Sequence, residues 1–208
     1  MYLPPQFDSP DLADAVELMR SHSFATLISN DDQGLPYLTH LPLHLQTAEQ
    51  GDAATGMRLL GHVAKANPHW RFLRDRDAAV VSFLGPHAYM SPRVYPDQMR
   101  VPTWNYLAVQ CRVQAKVIED DAAKDHLLSR LIDDYDPAYL AQWRSLDAEY
   151  RRKMLAGIVG FELVVIDYQC KLKLNQHRPE SLAALRASYA GGTDDDRELL
   201  KWMDRLKL

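Results

Sequence analysis

The chain has 208 residues, a formal net charge of −4 at pH 7 and 47% hydrophobic content, enough to bury a core in one large domain or two small ones. The negative balance excludes a general attraction to nucleic acid or anionic membrane and leaves only local basic patches. No basic segment followed by an apolar run opens the sequence, and the longest apolar stretch, IVGFELVVI, has half the length of a membrane span and contains Glu162, so neither a secretory signal nor a membrane anchor is expected.

Ser9 and Pro10 read as the N-cap and first residue of a helix running to about His22, with Leu12, Val16 and Met19 on one face. Phe24 to Asn30 is rich in strand formers, Asp31-Asp32-Gln33-Gly34 is a turn, and Leu35 to Leu45 resumes extended structure in which Pro36 and Pro42 favour an edge or a bulge. A hairpin is predicted. The polar run QTAEQGDAATG at 46–56 reads as a loop, and Met57 to Ala64 and Ala78 to Leu84 read as strands flanking a helical turn around Asn67 to Leu73. From Leu107 to Val117 every odd residue is apolar while Gln110, Arg112, Gln114 and Lys116 occupy the other face, so one face of that strand belongs to the core. Asp120 or Asp121 caps a helix carrying Leu127, Leu128, Leu131, Ile132 and Tyr135, and a second helix around Asp147 to Ala156 ends at Gly157. Ile158 to Leu174 returns as a long strand. Two helices follow, one begun by Pro179 and one capped by Thr193 with Leu199, Leu200, Met203 and Leu206 on one face. Consecutive, hairpin-linked strands with helices at the start, middle and end predict an α+β fold on an antiparallel barrel. No Rossmann or P-loop glycine motif is present.

Cys111 and Cys170 match no metal or redox spacing and fall within apolar strand patterns, which predicts buried thiols in a reducing, cytoplasmic compartment. His40 and His44 are four apart but separated by Pro42. Extended chain holds them ~13 Å apart, so no metal is expected there. The serines lack a G-x-S-x-G context and neither cysteine has an activating neighbour, which argues against a hydrolase.

Three stretches, GPHAYMSPRVY at 85–95, VPTWNY at 101–106 and KLKLNQHR at 171–178, look loop-like yet concentrate aromatic rings, amides, hydroxyls and cations beside apolar strands. An ordinary turn needs only Gly, Pro, Asn or Asp. A planar polar cofactor with a phosphate tail needs this richer set.

Together with MYLPPQF, FATLIS, THLPLHL and GHVAKANPHW, in this order, those stretches resemble the PaiB-type FMN-binding negative transcriptional regulator family over about residues 1–178. The resemblance implies an FMN-binding antiparallel split β-barrel with flanking helices, related to pyridoxamine-phosphate oxidase-like flavoproteins. It also implies a homodimer with flavin at the subunit interface. Residues 1–178 would form that domain, and residues 179–208, which carry no such signature, would pack on it as C-terminal helices. The chain departs from the family where Arg93 and Val94 replace a common Ser-Trp pair before Tyr95, and where Asn175 and His177 replace the serine and second asparagine of a Lys-Leu-Ser-Gln-Asn motif.

A flavin phosphate needs cations and hydroxyls, and the ring needs N–H donors and aromatic cover. Lys65, Lys173 and Arg178 are the candidate cations, with hydroxyls from Ser91 and Thr103. Trp104, Asn105, His87, Tyr89 and Gln176 are expected toward the ring, with His62 as a hydrogen-bonding neighbour. The ordinary alternatives are solvated lysines, turn hydroxyls, barrel-end packing of Trp104 and Tyr106, and a buried structural role for His69. Function stays open between a regulator whose flavin biases a dimer toward DNA or another regulator, an FMN-dependent oxidoreductase or flavin reductase acting on a small molecule, and a flavin carrier. The one compact basic run, Arg151-Arg152-Lys153, reads equally as a solvated helix face.

Overall fold

In the computed structural model, which describes residues 1–47, 56–97 and 99–208, the first helix, α1, spans Leu12–Ser21. It begins two residues later than the Ser9-Pro10 pair predicts because Asp11 serves the first turn: its carboxylate accepts the Ala13 N–H at 2.9 Å. The Ser9 hydroxyl instead donates to Asp14 at 2.7 Å. The buried stripe is accordingly Asp14, Ala15, Leu18 and Met19, and Leu12 is exposed.

The predicted hairpin forms from β1 (Phe24–Asn30) and β2 (Pro36–Pro42), antiparallel from Phe24↔Pro42 to Asn30↔Pro36. Asp31 builds its turn by accepting the N–H groups of Gln33 and Leu35 at 2.8 and 2.9 Å, and Gly34 takes a left-handed φ of 78°. Extended structure does not run unbroken to Leu45. A separate strand, β3 (His44–Thr47), pairs antiparallel with β4 (Met57–Ala64). Residues 48–55 of the expected 46–56 loop lie outside the described residues.

The remaining elements are α2 (His69–Asp75), β5 (Ala78–Met90), β6 (Thr103–Ile118), α3 (Asp121–Tyr135), α4 (Tyr139–Ser145), α5 (Ala148–Ala156), β7 (Ile158–Lys173), α6 (Pro179–Ala190) and α7 (Asp194–Arg205). The fold is α+β, with one seven-stranded antiparallel sheet in the order β2-β1-β5-β6-β7-β4-β3. β2 is an edge strand, where its prolines cost no ladder bond. Of the two predicted cap candidates before α3, Asp120 serves, accepting the Ala123 N–H, and Thr193 caps α7 as predicted in a capping box with Asp196, while Asp147 caps α5 by accepting from Glu149 and Tyr150. α4 has no side-chain cap and was not legible; Trp143 anchors it by donating to Asp125 at 3.0 Å.

Each motif stretch is part strand rather than loop throughout, the third as the strand predicted to Leu174 leads one to expect. β5 continues past Gly85 and Pro86 to Met90, VPTWNY supplies the start of β6, and KLK ends β7. The cue was present in the alternation of exposed His87 and Tyr89 with buried Ala88 and Met90.

The chain forms two compact units. Met1–Ser21, Leu84–Val109 and Gln169–Leu208 make the first, whose buried residues include Met19, Met90, Leu107, Leu174, Tyr189 and Met203. Here α7 is tied back to α1 by Arg205, which donates to Asp14 at 2.9 Å. His22–Phe83 and Gln110–Tyr168 make the second, cored by Leu27, Leu59, Phe83 and Phe161, with Leu127 and Leu131 of α3 packed on Leu60 and Ile118. Both cysteines are buried, and burial together with Asp14, Asp8 and Asp11 pushes the Cys170 thiol up to about 12. Among the described residues no helix is long and apolar enough to cross a membrane.

Candidate functional site

In the first unit the start of β6 and the end of β7 line a cavity of about 450 Å³ whose walls include Phe7, Tyr95, Arg100, Thr103, Lys173 and Arg178. Lys173 Nζ donates to Thr103 Oγ1 at 2.5 Å. Lys171, two residues earlier and therefore on the same face of β7, is 6% exposed and donates to the Tyr2 carbonyl at 3.0 Å. The two ammonium groups lie 5.0 and 5.9 Å from the centroid of the Tyr106 ring. Among the described residues no carboxylate pairs with either lysine. Burial, and then the charge of Lys171, lower the pKa of Lys173 from its ordinary 10.5.

The rest of the wall is held by internal bonds. Tyr95 OH donates to Asn175 Oδ1 at 3.1 Å, and Asn175, at φ 64°, donates from Nδ2 to Ser181 at 2.7 Å. Arg100 lies 4.8 Å over the Tyr95 ring and is neutralised by Asp97 at 2.8 Å and Glu180 at 3.4 Å. His177 meets the edge of Phe7 at 5.2 Å. Burial, then Arg178 and Lys173, lower its pKa. The cavity therefore presents positive charge and hydroxyls with no acid of its own close to Lys173, which suits a phosphate.

A second cavity of the same unit, about 680 Å³, is lined by His87, Tyr89 and Trp104 and by residues 193–196 at the start of α7. Trp104 and Tyr89 are 54% and 53% exposed. Their rings meet edge to face at 6.2 Å, and His87 lies 6.3 Å from Trp104. His87 Nδ1 is 3.2 Å from the Gly85 carbonyl and 3.8 Å from Asp195.

The structure thus groups Thr103 with Lys173 and Arg178, and His87 with Tyr89 and Trp104. Three other predicted residues are engaged internally. Ser91 accepts the Arg93 N–H at 3.2 Å as a turn cap. Gln176 closes the end of β7 by accepting from Leu174 N–H and donating to the Leu172 carbonyl. Asn105 is fully buried, donates to Tyr189 OH at 2.8 Å, and has an Oδ1 without a partner. His62 and Lys65 belong to the second unit. Lys65 is exposed. His62 is half-buried with its pKa lowered by desolvation and Nδ1 unpartnered.

Also in the second unit, His69 is fully buried against Thr39, Nδ1 to Oγ1 2.7 Å, and desolvation lowers its pKa to about 4. That matches the structural alternative for this residue. His40 bonds Thr26 and His44 bonds Asp134, so the two do not converge. Sequence reasoning missed Lys171, Arg100 and Tyr95. The alternation Lys171-Leu172-Lys173 was the signal for the first, whereas the other two needed the fold.

Fold and cavities together define an α+β protein with a cationic cavity and an exposed aromatic wall in one unit. Residues 1–167 match the family described as "Putative FMN-binding domain", and the chain belongs to that family. It is a PaiB-type FMN-binding protein: over 184 residues, 87% of this chain and 84% of the relative, it is 34% identical to "Protease synthase and sporulation protein PAI 2" of Bacillus subtilis. Solved structures share the split-barrel fold. The flavocytochrome Anf3 from Azotobacter vinelandii superposes with a TM-score of 0.63 at 17% identity, covering 81% of this chain and 70% of that one. The FAD and heme binding protein from Mycobacterium smegmatis gives 0.59 at 23%, covering 80% and 72%. The donor set fits FMN on structural grounds: a lysine pair with no counter-ion among the described residues, beside a threonine hydroxyl, answers a phosphate ester, and exposed aromatic rings answer an isoalloxazine.

Proposed function

We propose that Lys173 and Thr103, with Arg178, hold the flavin phosphate, and that Trp104, Tyr89 and His87 cover the ring. The observation that carries this reading is Lys173 in the cavity wall, with Lys171 two residues before it on the same face of β7 and, among the described residues, no carboxylate paired with either. Bound FMN would supply hydride and single-electron chemistry, with the protein providing orientation and electrostatics. Asn105, Ser91 and Gln176 act as supports of the pocket walls, each already bonded within its own unit. The flavin domain is residues 1–178, with residues 179–208 packed on it through Tyr189 and Arg205.

The working form is a cytoplasmic homodimer with flavin at its interface. Support comes from the exposed rings of Tyr89 and Trp104, which meet edge to face in the first unit, where Leu84, Met99 and Val101 are also exposed. Its role is regulatory, with the flavin biasing contact with another regulator. Direct DNA contact draws little support from Arg151-Arg152-Lys153, because Arg151 lies 4.0 Å from Asp125 and Lys153 pairs with Glu149 at 2.9 Å. A reductase would bleach its flavin on anaerobic addition of NADH or NADPH, and a regulator or carrier would not. Titration of apo-protein with FMN and riboflavin, followed by flavin fluorescence with sedimentation in parallel, tests the reading. Preference for FMN on a dimer supports it, and equal binding of the two flavins on a monomer removes it.

A further inference from the structure

We propose that Lys171 is the positioning cation of the phosphate pocket: bonded among the described residues to neutral groups alone, it keeps a positive charge without an ion-pair partner behind Lys173, so the pocket selects a doubly charged phosphate monoester over an uncharged flavin. The inference rests on the reading that the Lys173–Thr103 cavity receives the flavin phosphate.

Lys171 is too buried for water to stabilise its charge, and its partners are the Tyr2 carbonyl at 3.0 Å and the rings of Tyr2 and Tyr106 at 5.7 and 5.0 Å. A carbonyl and two π faces stabilise an ammonium without cancelling its charge. Lys173, one pleat further along the same face, therefore sits in the field of a cation it cannot escape.

Among the described residues no carboxylate pairs with Lys173 to offset this field. From β6 it meets Thr103 and the Tyr106 ring, both neutral. After β7 come Arg178, a further cation of the cavity wall, and His177, whose lowered pKa keeps it neutral at pH 7.5 and above. Arg100 arrives already neutralised by Asp97 and Glu180. The N-terminal segment offers the Tyr2 carbonyl, and Asp8, opposite Lys171 across an antiparallel bridge, is the nearest carboxylate of that segment but makes no ion pair with it among the described residues.

A phosphate monoester is nearly dianionic at neutral pH because its second pKa is about 6. It is thus the ligand that relieves both lysines, and Lys173 would hold its proton more tightly in the complex than alone. The sign follows: FMN affinity falls as pH rises through the lowered pKa of Lys173 in the ligand-free protein. The ratio of FMN to riboflavin affinity isolates this effect, since titration of the shared ring cancels.

The experiment measures that ratio by fluorescence titration of the full-length apo-protein between pH 6 and 11, for the parent, Lys171→Gln, Lys171→Arg and Lys173→Met. Glutamine keeps an N–H donor on a side chain one atom shorter and removes the charge. Expected for Lys171→Gln is a ratio about tenfold lower at pH 7.5, about 1.4 kcal/mol, with the alkaline fall moved up toward an ordinary lysine. Riboflavin affinity stays unchanged, and Lys171→Arg keeps the parent ratio. A parental ratio and alkaline fall in Lys171→Gln, or equal losses for both flavins, would overturn the role of Lys171 while leaving the pocket in place. An unchanged ratio in Lys173→Met would overturn the pocket reading and this inference with it. Should Lys171→Gln not fold, the parent profile decides alone, because an alkaline fall centred on 10.5 contradicts an uncompensated Lys171.

Discussion

Substituting Tyr189 with Phe separates a ligand role for Asn105 from a structural one. Asn105 is fully buried, and its Nδ2 donates to Tyr189 OH at 2.8 Å and otherwise reaches only Met90 Sδ at 3.6 Å. Removing the phenol strands this donor beside an Oδ1 that already lacks a partner, at a cost of about 1 to 3 kcal/mol. For a chain of this size that lowers Tm by about 2 to 4 °C per kcal/mol. The loss has a pH signature, because burial pushes the Tyr189 phenol up to about 12 from its ordinary 10. The folded chain then keeps a proton that the unfolded chain releases. The stability from this shift is complete below pH 10 and disappears as pH rises toward 12, by about 1.4 kcal/mol per unit. Phenylalanine has no such proton, so the gap between parent and variant narrows from pH 9 to pH 11. Urea unfolding at pH 7, 9 and 11 measures it. FMN affinity should stay within about twofold of the parent, as for sites that do not couple. A variant as stable as the parent at pH 7 but binding FMN more than about tenfold more weakly would place Asn105 on the ligand and refute the reasoning.

His69 makes the fold acid-sensitive: its folded pKa of about 4 lies below the unfolded 6.5, so its stability is intact above pH 6.5 and decreases as pH falls toward 4. His69→Gln should remove about 2 kcal/mol of the stability difference between pH 7 and pH 5 seen in urea titrations. Gly61→Ala would set a Cβ 2.5 Å from Leu43 Cδ2 and 3.0 Å from Phe161 Cε2. It should cost about 1 to 3 kcal/mol by denaturant unfolding. Arg205→Met leaves the buried Asp14 carboxylate with the Ser9 hydroxyl and should destabilise by about 1 to 3 kcal/mol, less than a fully enclosed pair because the arginine is partly solvated.

Patterns of period and capping carried the sequence reading furthest. The alternation from Leu107 to Val117 became the inner face of β6, with Leu107, Val109, Cys111 and Val113 buried. Thr193, Asp120 and Asp147 capped the helices they preceded. Gly85, Pro86 and Pro102 made strand ends look like loops because such residues punctuate chains wherever packing does not override them. Composition identified the motif stretches but not which side chain faced which neighbour. Asn105 and Gln176 have the chemistry of ligand donors, yet the fold uses them to satisfy Tyr189 and the backbone at the end of β7. Lys171 does not stand out in the sequence, because the carbonyl it bonds belongs to Tyr2, which is 169 residues away.

A crystal structure of the FMN complex would locate the phosphate. It should lie with an oxygen within about 3 Å of both Lys173 Nζ and Thr103 Oγ1, with the isoalloxazine against Trp104. A phosphate bound elsewhere, with Lys173 still donating only to Thr103, would contradict the assignment of this pocket.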